Sequence, residues 1–173
     1  MTEHVPTTSG GEIEADPGRR RSAGALYGTI LVIAVIIGVS EDDTASAGLV
    51  LGGVLVTTLV FWAVHVYAET LAAHLAHPQW TLGADIREAA SSEWPLVEAA
   101  GPPAIPLLLG TVGVLGRTAA INFAIALGLI NLFAWGVSVG RAMGQPMSRA
   151  IITGVINVLL GGVMVALKAI VHH

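Results

Sequence analysis

From Leu26 to Val171 the chain is a succession of long apolar runs, and its charges fall almost entirely between them. An apolar run of about twenty residues, wound as an α-helix, matches the roughly 30 Å hydrocarbon core of a bilayer. Five such runs can be drawn, at 23–39, 48–76, 95–115, 118–140 and 150–171. The fold class predicted is therefore all-α: a polytopic transmembrane helical bundle of about five spans over residues 23–173. Residues 1–22 are polar and without a periodic apolar face, so they read as a disordered cytoplasmic tail.

The ends of the runs define the spans. The first stops at Ser40-Glu41-Asp42-Asp43, where carboxylates resist entry into hydrocarbon. Two readings of residues 23–47 stand side by side. A retained anchor fits the length of the run, whereas a cleaved secretory signal fits Arg19-Arg20-Arg21 before it and Ala45-Ser46-Ala47 after it. The second run is the longest, roughly 40 Å as a helix, and should protrude past one face of the membrane. The connector from His77 to Glu93 is too charged to span, and its part from about Asp85 reads as a short interfacial helix. The third run carries Pro95, Pro102, Pro103 and Pro106. Gly101, Pro102 and Pro103 form a predicted helix break, because proline lacks an N–H and clashes with the preceding turn. Residues 86–100 then belong either to a kinked third span, the reading placed slightly ahead, or to an interfacial segment before a short one.

Composition agrees with the pattern. Charged residues make up 12% of the chain, about half the share in soluble domains, and the mean hydropathy is +0.75. There is no cysteine, which excludes disulfides, thiolate metal sites and thiol nucleophiles. No basic surface points to nucleic acid. Arginines 19, 20, 21, 87, 141 and 149 share one side of the five-span topology, leaving Arg117 and Lys168 on the other. The positive-inside rule then places the N-terminus in the cytoplasm and the C-terminus outside. Arginine far outnumbers lysine, and Ala, Gly and Val dominate, a bias suited to a GC-rich bacterial genome and hence to a bacterial inner (plasma) membrane.

Glycines recur at four-residue spacing in Gly24/Gly28, Gly48/Gly52 and Gly136/Gly140/Gly144. Small residues so spaced let lipid-embedded helices approach closely, either within the bundle or between copies. The polar residues inside the runs are the other feature. His65 and Glu69 share one helix face. Glu98 lies about a turn into the third run, and Asn131 and Asn157 about two turns from the inner ends of the fourth and fifth. Such residues are costly in hydrocarbon and mark either a proton or cation pathway or interhelical hydrogen bonding. His74 and His77 form an HxxH, but His74 faces away from His65. No metal site is assigned, and no cofactor is implied.

No phosphate-binding glycine loop and no hydrolase signature occurs. The stretches Phe61–Glu69 and Glu93–Glu98 resemble segments of uncharacterised small bacterial integral membrane proteins, a resemblance that implies a membrane bundle and carries no activity. Two functional classes follow. The first is a small ion, proton or solute transport component with His65, Glu69, Glu98, Asn131 and Asn157 as inner-leaflet site residues. The second is a non-catalytic scaffold or accessory subunit. The partners expected are the lipid bilayer and either a second copy or a larger membrane protein.

Overall fold

The computed structural model describes the backbone of residues 17–76 and 82–171, and the side chains of 22–75, 82–163 and 165–166. The described backbone forms seven helices: α1 (Pro17–Ser40), α2 (Ala47–Ala76), α3 (Leu82–Ser92), α4 (Trp94–Glu98), α5 (Gly101–Thr111), α6 (Arg117–Ala142) and α7 (Met147–Val171). Among the described residues there is no strand. Three segments, Ser22–Ser40, Ala47–Leu75 and Arg117–Ala142, are long and apolar enough to cross a membrane. The described apolar stretch of α7, Met147–Val163, is shorter. Most of the expected tail lies outside the described residues. Its last part does not, because α1 begins at Pro17 and takes Arg19, Arg20 and Arg21 into helix. Proline's fixed φ suits the first helical position.

Local chemistry explains the helix ends. The Ser40 hydroxyl donates to the Ile37 carbonyl at 3.0 Å as α1 closes. Asp42 Oδ1 then accepts from both the backbone N–H and the hydroxyl of Thr44, at 2.8 and 2.6 Å, and turns the chain. Ser46 caps α2 by accepting the Leu49 N–H at 3.2 Å. Helices α5 and α6 both end in a glycine with positive φ, Gly113 at 81° and Gly144 at 72°. In each case the next residue reaches back to close the last turn: Val114 to Leu109 O at 2.9 Å, and Gln145 to Gly140 O at 3.1 Å.

The third apolar run is where regular helix fails. It is divided between α4 and α5, with α3 leading into it. Each joint precedes prolines. Pro95 lacks the N–H that would meet the Ser91 carbonyl, while Pro102 and Pro103 lack those that would meet Glu98 and Ala99. Pro102 and Pro103 themselves sit in the first turn of α5, where a missing N–H does no harm to the helix they begin. The backbone stays right-handed helical at Ala99 (φ −61°, ψ −26°) and Ala100 (φ −77°, ψ −18°). Ala99 and Ala100 still donate to Pro95 O and Val97 O, and Ala100 O accepts from Ala104, so the helical path continues and only the donors that Pro102 and Pro103 would supply are missing.

Helix α1 occupies the centre. Ala25, Thr29, Val32, Ile33 and Ile36 are buried along it, at spacings that keep them on neighbouring faces. Val32 and Ile36 join Val50 and Val54 of α2, Leu107 of α5, and Ile121 and Ala124 of α6 in one core. The arm formed by α3, α4 and α5 runs back along α2. Asp85 lies beside His74, the Ala90 carbonyl beside Trp62, and Thr111 beside Gly48. Helices α6 and α7 form a closely packed hairpin. Much of α2 faces outward with large apolar side chains, including Leu49, Val56, Leu59, Val60 and Val64.

Candidate functional site

The five polar residues singled out above are distributed over three neighbourhoods. The first is an aromatic nest between α1 and α2. The half-buried His65 ring lies 5.8 Å from Tyr27 and 6.3 Å from Phe61, centroid to centroid. Its Nδ1 is 2.8 Å from the Phe61 carbonyl. A carbonyl only accepts, so Nδ1 carries the hydrogen and the ring is held to its own helix. Glu69 lies one turn further along α2 and is half-buried, and Glu98 ends α4 as an exposed residue.

The second neighbourhood is a polar node at the middle of the bundle. Asn131 Nδ2 donates to Thr29 Oγ1 at 3.0 Å and to the Ala99 carbonyl at 3.4 Å. Thr29 is fully buried and passes its own hydrogen to the Ala25 carbonyl at 2.7 Å. The Ala99 carbonyl is one of those left without a helical donor, here by Pro103. Asn131 therefore supplies from α6 a hydrogen bond that the arm cannot make for itself. Gly101 and Pro102 stand at the start of α5, outside this bond, while Pro103 is buried toward Gly128 of α6.

Asn157 belongs to the third neighbourhood, the α6–α7 hairpin. It lies against Gly136, where an added Cβ would run into its amide nitrogen and would come within 2.7 Å of Gly154 Cα. Gly140 makes a similar approach to Ala150 Cα, also at 2.7 Å. Gly28 lets α1 approach α4, with Leu96 O only 2.8 Å from where its Cβ would stand. Gly24 and Gly52, by contrast, meet nothing within 4 Å.

Two polar arrangements escaped the sequence reading. Near the far end of α2, His74 Nδ1 lies 3.3 Å from Asp85 Oδ2, where α3 folds back. Asp85 is 2% exposed, and its Oδ1 is buried with no hydrogen-bond partner among the described residues. The opposite face of α3 is polar and carries a shallow depression lined by Gly83, Ala84, Arg87, Glu88 and Ser91. The signal for the pair was an aspartate in the first turn of a short helix following a histidine in the last turn of a long one.

The second arrangement is at the other end of the bundle. Arg117 Nε donates to the Ala45 carbonyl at 2.6 Å, and its NH2 donates to the Ser40 and Asp42 carbonyls at 3.2 and 2.7 Å. One guanidinium gathers the whole α1–α2 turn, with Asp43 Oδ1 3.9 Å from NH1. The side-chain and backbone hydrogen bonds from Thr44 hold the Asp42 carboxyl below its ordinary value, with Arg117 adding to the effect.

Among the described residues no group of three or more His, Asp or Glu side chains converges as a metal site would require; His77 lies outside them. The architecture is that of a helical bundle with three candidate membrane-crossing helices. Comparison with protein-family models, with curated proteins and with solved structures finds no match.

Proposed function

We propose that the chain is a five-span bacterial inner-membrane protein with a cytoplasmic N-terminus, serving as a non-catalytic scaffold or accessory subunit. The five crossings are α1, α2, the α4–α5 rod, α6 and α7. From Trp94 to Thr111 the rod is 18 residues long, about 27 Å at helical rise, close to the hydrocarbon thickness. The observation that carries the functional reading is the Asn131 node. Its amide is spent on Thr29 and Ala99, joining α1, α6 and the interrupted arm. An asparagine so used acts as interhelical glue. The broad apolar face of α2 supplies a surface for lipid, for a second copy or for a larger membrane partner.

The test is purification in mild detergent followed by reconstitution. A stoichiometric membrane partner or a defined homo-oligomer, with no proton or cation flux in liposomes, is the expected result. A protein-dependent flux would overturn this reading.

A second reading is a transport component, supported by the proline interruption of the helical ladder at Pro102 and Pro103, close after Glu98 in the chain. Interrupted spans recur at transporter binding sites. It requires a pH-dependent flux that Glu98→Gln or His65→Ala abolishes while the bundle stays folded.

A further inference from the structure

We propose that α6 carries the surface through which two copies of this chain associate in the membrane, with Asn122 of each copy hydrogen-bonded to Asn122 of the other. This pairing rests on the scaffold reading above, of which it names the partner and the face, and on α6 crossing the bilayer.

Asn122 is exposed on α6, and among the described residues its side chain has no hydrogen-bond partner. Asn131, on the same helix, spends its amide inside the bundle on Thr29 and Ala99. Asn122 lies about 7.5 Å along the helix axis from Arg117, which fastens the turn at that end. Its short side chain cannot reach back that far to water. Hydrocarbon offers an amide neither donor nor acceptor, so leaving it there is costly.

The surrounding face of α6 is suited to protein rather than to lipid. Thr118, Asn122, Ala126, Ile130, Ala134 and Ser138 are all exposed and follow one another at four-residue spacing. They form a single ridge, uncharged, in which only Ile130 is large and apolar. The outward faces of α2 and α7 are different. They present Leu59, Val60 and Val64, and Ile152, Leu159 and Leu160, bulky aliphatic side chains that match acyl chains. Contacts between membrane helices are instead built from small residues and from Ser, Thr and Asn.

The ridge is its own complement. An amide both donates and accepts, so across a two-fold axis normal to the membrane each Asn122 gives an N–H to the other's carbonyl oxygen and receives one in return. Two ridges of four-residue spacing interdigitate at a right-handed crossing of about −40° to −50°. Ala126, one turn further along, lets the two backbones close on the pair.

The chain has no cysteine, so a single introduced thiol reports contact without background. With the full chain in liposomes, Ala126→Cys should oxidise to a disulfide-linked dimer, and Leu59→Cys on α2 should not. Energy transfer between donor- and acceptor-labelled copies, followed as lipid dilutes the protein, should show a dimer. Asn122→Leu should weaken it about tenfold, and Asn122→Gln should retain most of it. A wild-type protein that is monomeric at every dilution overturns the proposal. So does an Asn122→Leu dimer of wild-type strength, or cross-linking at Leu59 in place of Ala126. Should Asn122→Leu disturb the bundle, the two cysteine variants, which keep Asn122, decide. Flux in the same liposomes separates this pairing from the scaffold reading. A monomer bound to a different membrane partner, without flux, removes the dimer and keeps the scaffold, whereas a dimer with proton flux does the reverse.

Discussion

Asn131 of α6 and Thr29 of α1 meet at 3.0 Å in the interior of the bundle, and the same amide nitrogen reaches the Ala99 carbonyl. A side chain 102 positions away from Thr29 in sequence thus completes a helix that Pro103 leaves incomplete. Replacing Asn131 by leucine strands a buried hydroxyl oxygen and a backbone carbonyl. Asn131→Leu should lower stability by about 0.5–2 kcal/mol, the range of interhelical hydrogen bonds in membranes. Thr29→Val should have a smaller effect, because the Ala99 bond survives. Unfolding in mixed micelles or by steric trapping measures both.

The glycines divide by what surrounds them. Gly136→Val places new atoms against the Asn157 amide and the α7 backbone, neither of which can withdraw far. A loss of about 1–3 kcal/mol, typical of overpacking, is expected from the same assays. Gly52→Ala enters open space and should leave stability unchanged or raise it slightly, since alanine favours helix. Equal losses at both positions would count against the packing described.

Arg117 contributes shape as well as charge. Arg117→Ala removes three hydrogen bonds from the α1–α2 turn and should cost about 1–3 kcal/mol. Arg117→Lys keeps the charge but not the planar fork, so it should recover only part of that loss. Thermal unfolding of the three proteins side by side shows the order.

Asp42 provides a pH test at the same turn. Its folded pKa is depressed, so its contribution is present above the unfolded value and disappears as pH falls through the folded one. Carboxyl titration followed by NMR should find Asp42 ionised below the usual aspartate range. Thr44→Val removes the side-chain hydrogen bond, the larger cause, and should move that titration upward.

The sequence and the structure agree best where one local rule decides. Run two, read as 48–76, is α2 at Ala47–Ala76, because Ser46 and the flanking charges mark its limits. Run four and α6 agree to within two residues for the same reason. Run three was harder. Its prolines are plain in the sequence, but whether a helical path survives them depends on which groups elsewhere meet the freed carbonyls. Asn131 was legible as a polar residue in an apolar run, whereas its partners required knowing that α6 crosses both α1 and the arm. His74 and Asp85 read apart in the sequence, one as half of an HxxH and the other at the start of a short interfacial helix. Only the return of α3 along α2 brings them into contact.

The Arg117 fork also bears on the order of assembly. The turn it fastens ends more than seventy residues before the arginine, which donates to Ala45 across 72 positions. As the chain emerges from the ribosome, those carbonyls have no guanidinium to meet until Arg117 is made. The turn cannot be locked until the α5–α6 turn has been delivered to the same face. The α1–α2 turn is thus fastened only after the arm has been made, and arrest of synthesis before residue 117 leaves it unfastened.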